Sequence, residues 1–156
     1  RIMEVNFLAA AELTRRAIPV LASGTKPAIV NIGSIVGHCG IPLNSEYCAS
    51  KFALRGLSES LRAELAPLAI DVLLVSPGTT ETEFFDHLLA KQGELPWGKA
   101  KGIPAAAVAS QTVRALERGR REIFPNWRGR ALVLANRLCP RMVDRVMTRL
   151  ASRRQD

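Results

Sequence analysis

The chain is short of the features that mark several protein classes at a glance. It has only three cysteines, Cys39, Cys48 and Cys139, among 156 residues. An odd number cannot all pair and none stands at C-x-x-C spacing, so neither a disulfide framework nor a zinc site is indicated, and a reducing, cytoplasmic setting is expected. Long apolar runs are missing too: none reaches the roughly 18 residues of a membrane-spanning helix, because charges or prolines interrupt every candidate. No charged leader, apolar stretch and small-residue cleavage site occur in order, so no signal peptide is expected. The first residue is Arg1 rather than Met, which suggests that part of the parent lies upstream.

Acidic residues are scarce in one region only. Residues 1–113 hold 10 basic and 10 acidic side chains, whereas residues 114–156 hold 12 and 4, so the entire net charge of +8 sits in the last 43 residues. A neutral body with a basic tail is a different object from a uniformly basic nucleic-acid binder. With 47% apolar and 23% charged residues, the composition is that of a globular domain rather than a disordered or collagenous chain.

What is present alternates. Residues 1–22 carry Ile2, Val5, Leu8, Ala9, Leu13, Ala17 and Leu21 near a 3.6-residue period and predict a helix, stopped by Ser23, Gly24 and Pro27. PAIVNIG, residues 27–33, predicts a short buried strand. After a loop with three glycines, residues 45–65 predict a second helix, and IDVLLV, residues 70–75, a second strand closed by Ser76-Pro77-Gly78. Residues 79–103 suit a loop with one short helix, residues 104–119 a third helix, and residues 121–125 another strand. Apolar strands alternating with helices predict an α/β fold, a partial, doubly wound parallel sheet of the Rossmann type with a basic helical extension. The expected division is a catalytic part over residues 1–126 and a basic amphipathic tail over residues 127–156.

The stretch IVNIGSIVGHCGIPLNSEYCASKFALRG, residues 29–56, carries the chemistry. Ser34 falls just past the carboxyl end of a predicted strand, where open α/β sheets bind ligands. Tyr47 and Lys51 are four apart at the start of the next helix and therefore share a face. A free tyrosine, with a pKa near 10, exchanges protons poorly at neutral pH; lowering it by about three units takes roughly 4 kcal/mol, much of which a nearby ammonium can supply. Singly, Ser34 is a turn residue and Y-x-x-x-K a helix face. Together, in a strand, glycine-rich loop and helix, they form a far rarer combination. A hydrolase triad of Ser34 with His38 or His87 and Asp71 lacks the G-x-S-x-G elbow, and zinc held by His38, Cys39 and Cys48 lacks convergent spacing, so no metal is expected.

On these motifs the sequence resembles the short-chain dehydrogenase/reductase family over residues 1–125. The resemblance implies Ser34 as the carbonyl-orienting serine, Tyr47 as general acid/base, and Lys51 as the residue that lowers the tyrosine pKa and binds the nicotinamide ribose. Asn6, in EVNFLAA, matches the asparagine that holds the water of a proton relay. SPGTTETEF, residues 76–84, is similar to the family's P-G-x-x-x-T segment, which implies cofactor contacts from Pro77, Gly78, Thr79 and Thr82. Gly33 replaces the commoner serine, a loss of one hydroxyl that should be tolerated. The family's opening strand and T-G-x-x-x-G-x-G turn, which hold the pyrophosphate, have no counterpart. Gly33, Gly37 and Gly40 cannot stand in, since Ile41-Pro42-Leu43 follows instead of a helix N-terminus. The expectation is a truncated NAD(P)-dependent oxidoreductase of an alcohol/carbonyl pair, homo-oligomeric when complete. NADP is slightly favoured over NAD, and a lipid-like substrate would be covered by the 79–103 loop with Phe84, Phe85 and Trp97. The alternative is a non-catalytic binding or assembly module that docks through its first helices and basic tail.

In that tail Arg137, Arg141, Arg145 and Arg149 recur every four residues, Leu134, Leu138, Met142, Val143, Val146, Met147 and Leu150 populate the other side, and Pro140 should divide or kink the helix. Such a helix can pack on its own domain or on a second subunit, lie on an anionic membrane surface, or meet an acidic partner. No nucleic-acid recognition motif is present.

Overall fold

A computed structural model describes residues 1–82 and 102–152. Its centre is β2 (Asp71–Val75), the apolar run DVLLV, in which Leu73, Leu74 and Val75 are essentially fully buried. On one side β1 (Ala28–Ile32) pairs with β2 in parallel along its whole length, from Ala28 opposite Asp71 to Ile32 opposite Val75. On the other side the short β5 (Glu122–Ile123) pairs with Leu74 and Val75, also in parallel. The sheet order is β1-β2-β5. A strand hydrophobic on both faces needs cover on both, and helices supply it. The buried side chains of Ile29, Leu61, Leu65, Ile70 and Val72 form one layer, with Ile18 and Leu21 of α1 (Ala9–Leu21) and Leu57 of α2 (Ser45–Leu65) packed on it. Leu73, Val75 and Ala115 form the opposite layer, with Val108 and Leu116 of α3 (Ala105–Glu117). This is the expected α/β parallel sheet.

Two departures from helical and loop expectation matter later. The first helix opens with a π turn, Glu4–Leu8, in which the Ala9 amide reaches back five residues to the Glu4 carbonyl. Nothing in its hydrophobic period announces this, and such turns re-aim single side chains. In addition, β3 (Thr80–Glu81) and β4 (Ile103–Pro104) make a two-residue parallel pair. Most of the loop read from residues 79–103, including Phe84, Phe85 and Trp97, lies outside the described residues.

The basic segment forms two helices, α4 (Trp127–Leu138) and α5 (Pro140–Ser152), divided at Pro140 as its fixed φ and missing N–H dictate. It is not one stripe of arginines over one apolar side. Arg137 stands on α4 and the other three on α5; of the apolar set, Val143 is buried and Met147 packs inward, whereas Leu134, Leu138, Met142 and Val146 are exposed. No helix among the described residues is long and apolar enough to cross a membrane.

Candidate active site

The β1 chain leaves the sheet at Ile32, and a turn brings Ser34 to the head of a 3₁₀ turn, Ile35–Gly37. The Ser34 hydroxyl accepts from the Val36 amide at 3.3 Å, a short-range cap. The end of β2 is tied to the same point: the Ile35 amide donates to the Pro77 carbonyl at 3.0 Å and the Ser34 hydroxyl lies 3.4 Å from that oxygen. Ser34 and Pro77 therefore meet at the carboxyl ends of two adjacent parallel strands, the ligand-binding edge of such sheets.

The first turns of α2 supply the partners. Tyr47 is partly buried, packing against the cluster of Ile35, Val36, Ile41 and Cys48. Burial pushes its phenol above the ordinary value, while a hydrogen bond with Ser34 pulls it down. Lys51, one turn on, places its ammonium 5.7 Å from the centre of the Tyr47 ring and donates to the Ile32 carbonyl at 2.9 Å. Burial depresses the Lys51 pKa, which costs its charged form some of its advantage. The pull on Tyr47 comes in this state from Ser34, and Lys51 stands by as a cation anchored to the end of β1. The spacing rests on Gly37: a Cβ there would sit 2.7 Å from the Lys51 carbonyl oxygen, so only glycine lets the Ser34 turn lie on α2 at this level.

Asn6 joins through α2. From the π turn its amide donates to the Ser50 hydroxyl at 3.1 Å, and Ser50, fully buried, donates to the Tyr47 carbonyl at 2.7 Å. Since Ser50 has one proton and gives it to the Tyr47 carbonyl, the Asn6 group facing it must be the NH₂, and the Asn6 oxygen is not the atom that Ser50 engages. Of the remaining positions, the Gly78 carbonyl accepts from the Thr80 hydroxyl, the Thr79 carbonyl accepts from the Ile103 amide, and Thr82 is exposed beyond β3. Ser34, Tyr47, Lys51 and Pro77 are thus brought together, Asn6 is linked to them through Ser50, and Thr82 stands further out on the β3 side.

Sequence reasoning missed one group of residues. His38, whose side chain is 6% exposed, places Nε2 2.9 Å from a Glu122 oxygen and 3.1 Å from the Ser76 hydroxyl, and Ser76 donates to the same Glu122 oxygen at 2.9 Å. Because Ser76 spends its proton on the carboxylate, Nε2 must carry a hydrogen and share it between the two oxygens. His38 thus spends Nε2 on Ser76 and Glu122, and Asp71 opens β2 at the opposite end of the sheet, so Ser34, His38 and Asp71 form no Ser–His–Asp arrangement; His87 lies outside the described residues. The cluster clamps the ends of β2 and β5 to the loop after Ser34. Burial works to raise the Glu122 carboxyl, but hydrogen bonds from His38 and Ser76 and electrostatic attraction to His38 and Arg55 outweigh it and hold it below the usual range. A carboxyl depressed in the folded state contributes stability above its ordinary value of 4.5, lost as pH falls through the folded value. Glu122→Gln should therefore cost about 1 kcal/mol at neutral pH, and the gap to the parent should persist as pH is lowered toward 4.5 and close below it. Urea midpoints measured across that range decide it; a pH-independent gap would mean that the charge contributes nothing.

Comparison with known proteins identifies the family. The short chain dehydrogenase family matches residues 1–93, which include Asn6, Ser34, Tyr47, Lys51 and the segment after β2. An uncharacterized oxidoreductase, YxnA, of Bacillus subtilis is 31% identical over 156 residues, covering 96% of this chain and 43% of that protein. The 3-ketodihydrosphingosine reductase of Bacteroides thetaiotaomicron is 40% identical over 85 residues, 54% of this chain and 32% of that protein. The chain thus spans less than half the length of these curated relatives. Among solved structures, a short chain dehydrogenase from Burkholderia cenocepacia in complex with NADP superposes with a TM-score of 0.79 at 26% identity, covering 93% of this chain and 56% of that one. With its parallel sheet, its Ser34, Tyr47 and Lys51 at one edge, and a family match over more than half its length, the chain belongs to the short-chain dehydrogenase family.

Proposed function

We propose that the chain carries the catalytic residues of an NAD(P)-dependent oxidoreductase that interconverts an alcohol and a carbonyl. The observation that carries this reading is the meeting of Ser34, Tyr47 and Lys51 at the carboxyl ends of β1 and β2. The residues fit the nicotinamide-ribose half of such a cofactor. Lys51 spends one N–H on Ile32 and keeps two for ribose hydroxyls, and the Pro77 to Thr79 backbone runs alongside. When bound, the nicotinamide supplies or accepts the hydride. The protein's part is the proton and the orientation: Ser34 holds the substrate oxygen, and Tyr47, kept protonated by burial, donates to that oxygen as negative charge develops. That form is the one carbonyl reduction requires.

The donors for the pyrophosphate would come from further strands. β1 is an edge strand with an uncharged, apolar sequence, AIVNI, and such an edge is ordinarily paired or covered. NADP is kept as the slightly favoured cofactor, and a lipid-like carbonyl suits the likeness to a 3-ketodihydrosphingosine reductase. A homo-oligomer in the cytoplasm completes the reading; the exposed Val5, Leu8, Leu13 and Val20 on the first helix offer it a contact face.

The test is a spectrophotometric assay of the full-length enzyme with NADPH and NADH against short and long-chain ketones. Consumption of one cofactor in the presence of carbonyl, with the preference holding across substrates, is the expected result. Absence of turnover with either cofactor across the ketones, with the protein folded, would overturn the proposal in favour of a docking module.

A further inference from the structure

The two C-terminal helices carry a feature that oxidoreductase chemistry does not use. α4 packs through Gly129, Leu132, Val133 and Asn136. A Cβ on Gly129 would meet Ile35 at 2.7 Å, Leu132 and Val133 lie on the cluster around Ile35 and Val36, and Asn136 donates to the His38 carbonyl at 3.2 Å. The face directly opposite should then be polar, and it is not. Trp127, Ala131, Leu134 and Leu138, spaced four, three and four, fall within about 60° of one another on a helix of 3.6 residues per turn. Trp127 is 74% exposed, Leu134 54% and Leu138 72%, and on α5 Met142 and Val146 are exposed as well.

Arginines border this stripe on both sides, Arg128 on one and Arg130 and Arg137 on the other, with Arg141, Arg145 and Arg149 following along α5. Against these six stands a single acid, Asp144, and no arginine of either helix forms an ion pair with a described residue. Arg128 lies over the Trp127 ring instead, 5.7 Å from its centre.

We infer that this face docks on an anionic lipid surface. Charge complementarity selects the occupant. A second copy of the same face would bring six more arginines against these six, and a desolvated cluster of one sign is repulsive. Nucleic acid would satisfy the arginines and leave the Trp127 and Leu138 side chains without a role. An acidic bilayer takes both: the leucines and tryptophan enter the interfacial region while the arginines meet phosphates. Lying against Ile35, α4 would hold the Ser34 turn about one helix diameter, roughly 10 Å, from the lipid.

Flotation of the full-length protein with phosphatidylcholine vesicles, with and without phosphatidylglycerol, tests this. At least tenfold more protein should float with the anionic vesicles, salt should weaken the binding, and Leu134→Ser/Leu138→Ser should abolish it while leaving turnover in vesicle-free buffer unchanged. The mass of the protein in solution is measured alongside. Equal flotation with both vesicle types, or binding undiminished in the double variant, overturns the inference. So does a subunit count that falls in the double variant, which would make the face a protein interface, or equal retention on duplex DNA. Since turnover is measured separately, failure here leaves the catalytic reading standing, and the reverse.

Discussion

Tyr47→Phe should lower kcat for carbonyl reduction by at least about 10³-fold, roughly 4 kcal/mol of barrier, and change cofactor affinity by less than about threefold. Phenylalanine keeps the ring that packs with Ile35, Val36, Ile41 and Cys48 and that faces the Lys51 ammonium at 5.7 Å. What it removes is the hydroxyl in contact with Ser34, the group proposed to hand over the proton. Uniform binding should survive and the transition state should lose its acid, so the deficit falls on kcat rather than on the cofactor dissociation constant. The pH profile of the parent has a matching sign. Reduction needs the protonated phenol, burial raises its pKa, and activity should hold through neutral pH and fall only under alkaline conditions as the proton is lost. Tyr47 is the only tyrosine among the 156 residues, so phenolate absorbance of this chain reports on it alone. A Phe variant retaining kcat within tenfold would remove Tyr47 from the proton transfer.

The regular elements were legible because each has a local cause. α2 runs over Ser45–Leu65, as its apolar period and the following Pro67 require, and β1 and β2 fall within the β-branched runs bounded by proline and glycine. The meeting of Ser34 with Tyr47 and Lys51 was legible through motif spacing, since a strand end and the helix after it can lie side by side only one way in this fold. Other features depend on what packs against what. The first helix shows a clear period, yet it exposes Val5, Leu8 and Leu13 and buries Thr14, because a period reports that a helix has faces and not which one the sheet covers. The π turn that directs Asn6 to Ser50 and the pairing of β3 with β4 are too short to leave a pattern. The His38, Ser76 and Glu122 clamp draws one residue from each of three elements, so its only trace is a lone serine after β2 and a lone acid in β5.

Gly37→Ala links these levels and carries the second large effect. The added Cβ would stand 2.7 Å from the Lys51 carbonyl oxygen and 3.0 Å from its carbon, both backbone atoms of a helix that cannot yield as a side-chain tip does. Either the 3₁₀ turn lifts from α2 or α2 shifts, and overpacking of this kind costs about 1–3 kcal/mol. The catalytic penalty should exceed the stability penalty in consequence, because the turn that moves carries Ser34 and the helix that resists carries Tyr47 and Lys51. A misplacement of about 1 Å between acting groups is enough for a loss of about 10²-fold in kcat/KM. Gly40→Ala is the matched control: a Cβ there meets nothing within 4 Å, so its stability should stay within about 0.5 kcal/mol and its activity near that of the parent. Assays at a temperature where both variants are folded separate the two costs. Parental kcat/KM in folded Gly37→Ala would show that the approach of the Ser34 turn to Lys51 does not set the geometry of catalysis, and would shift that role to the tie between Ile35 and Pro77.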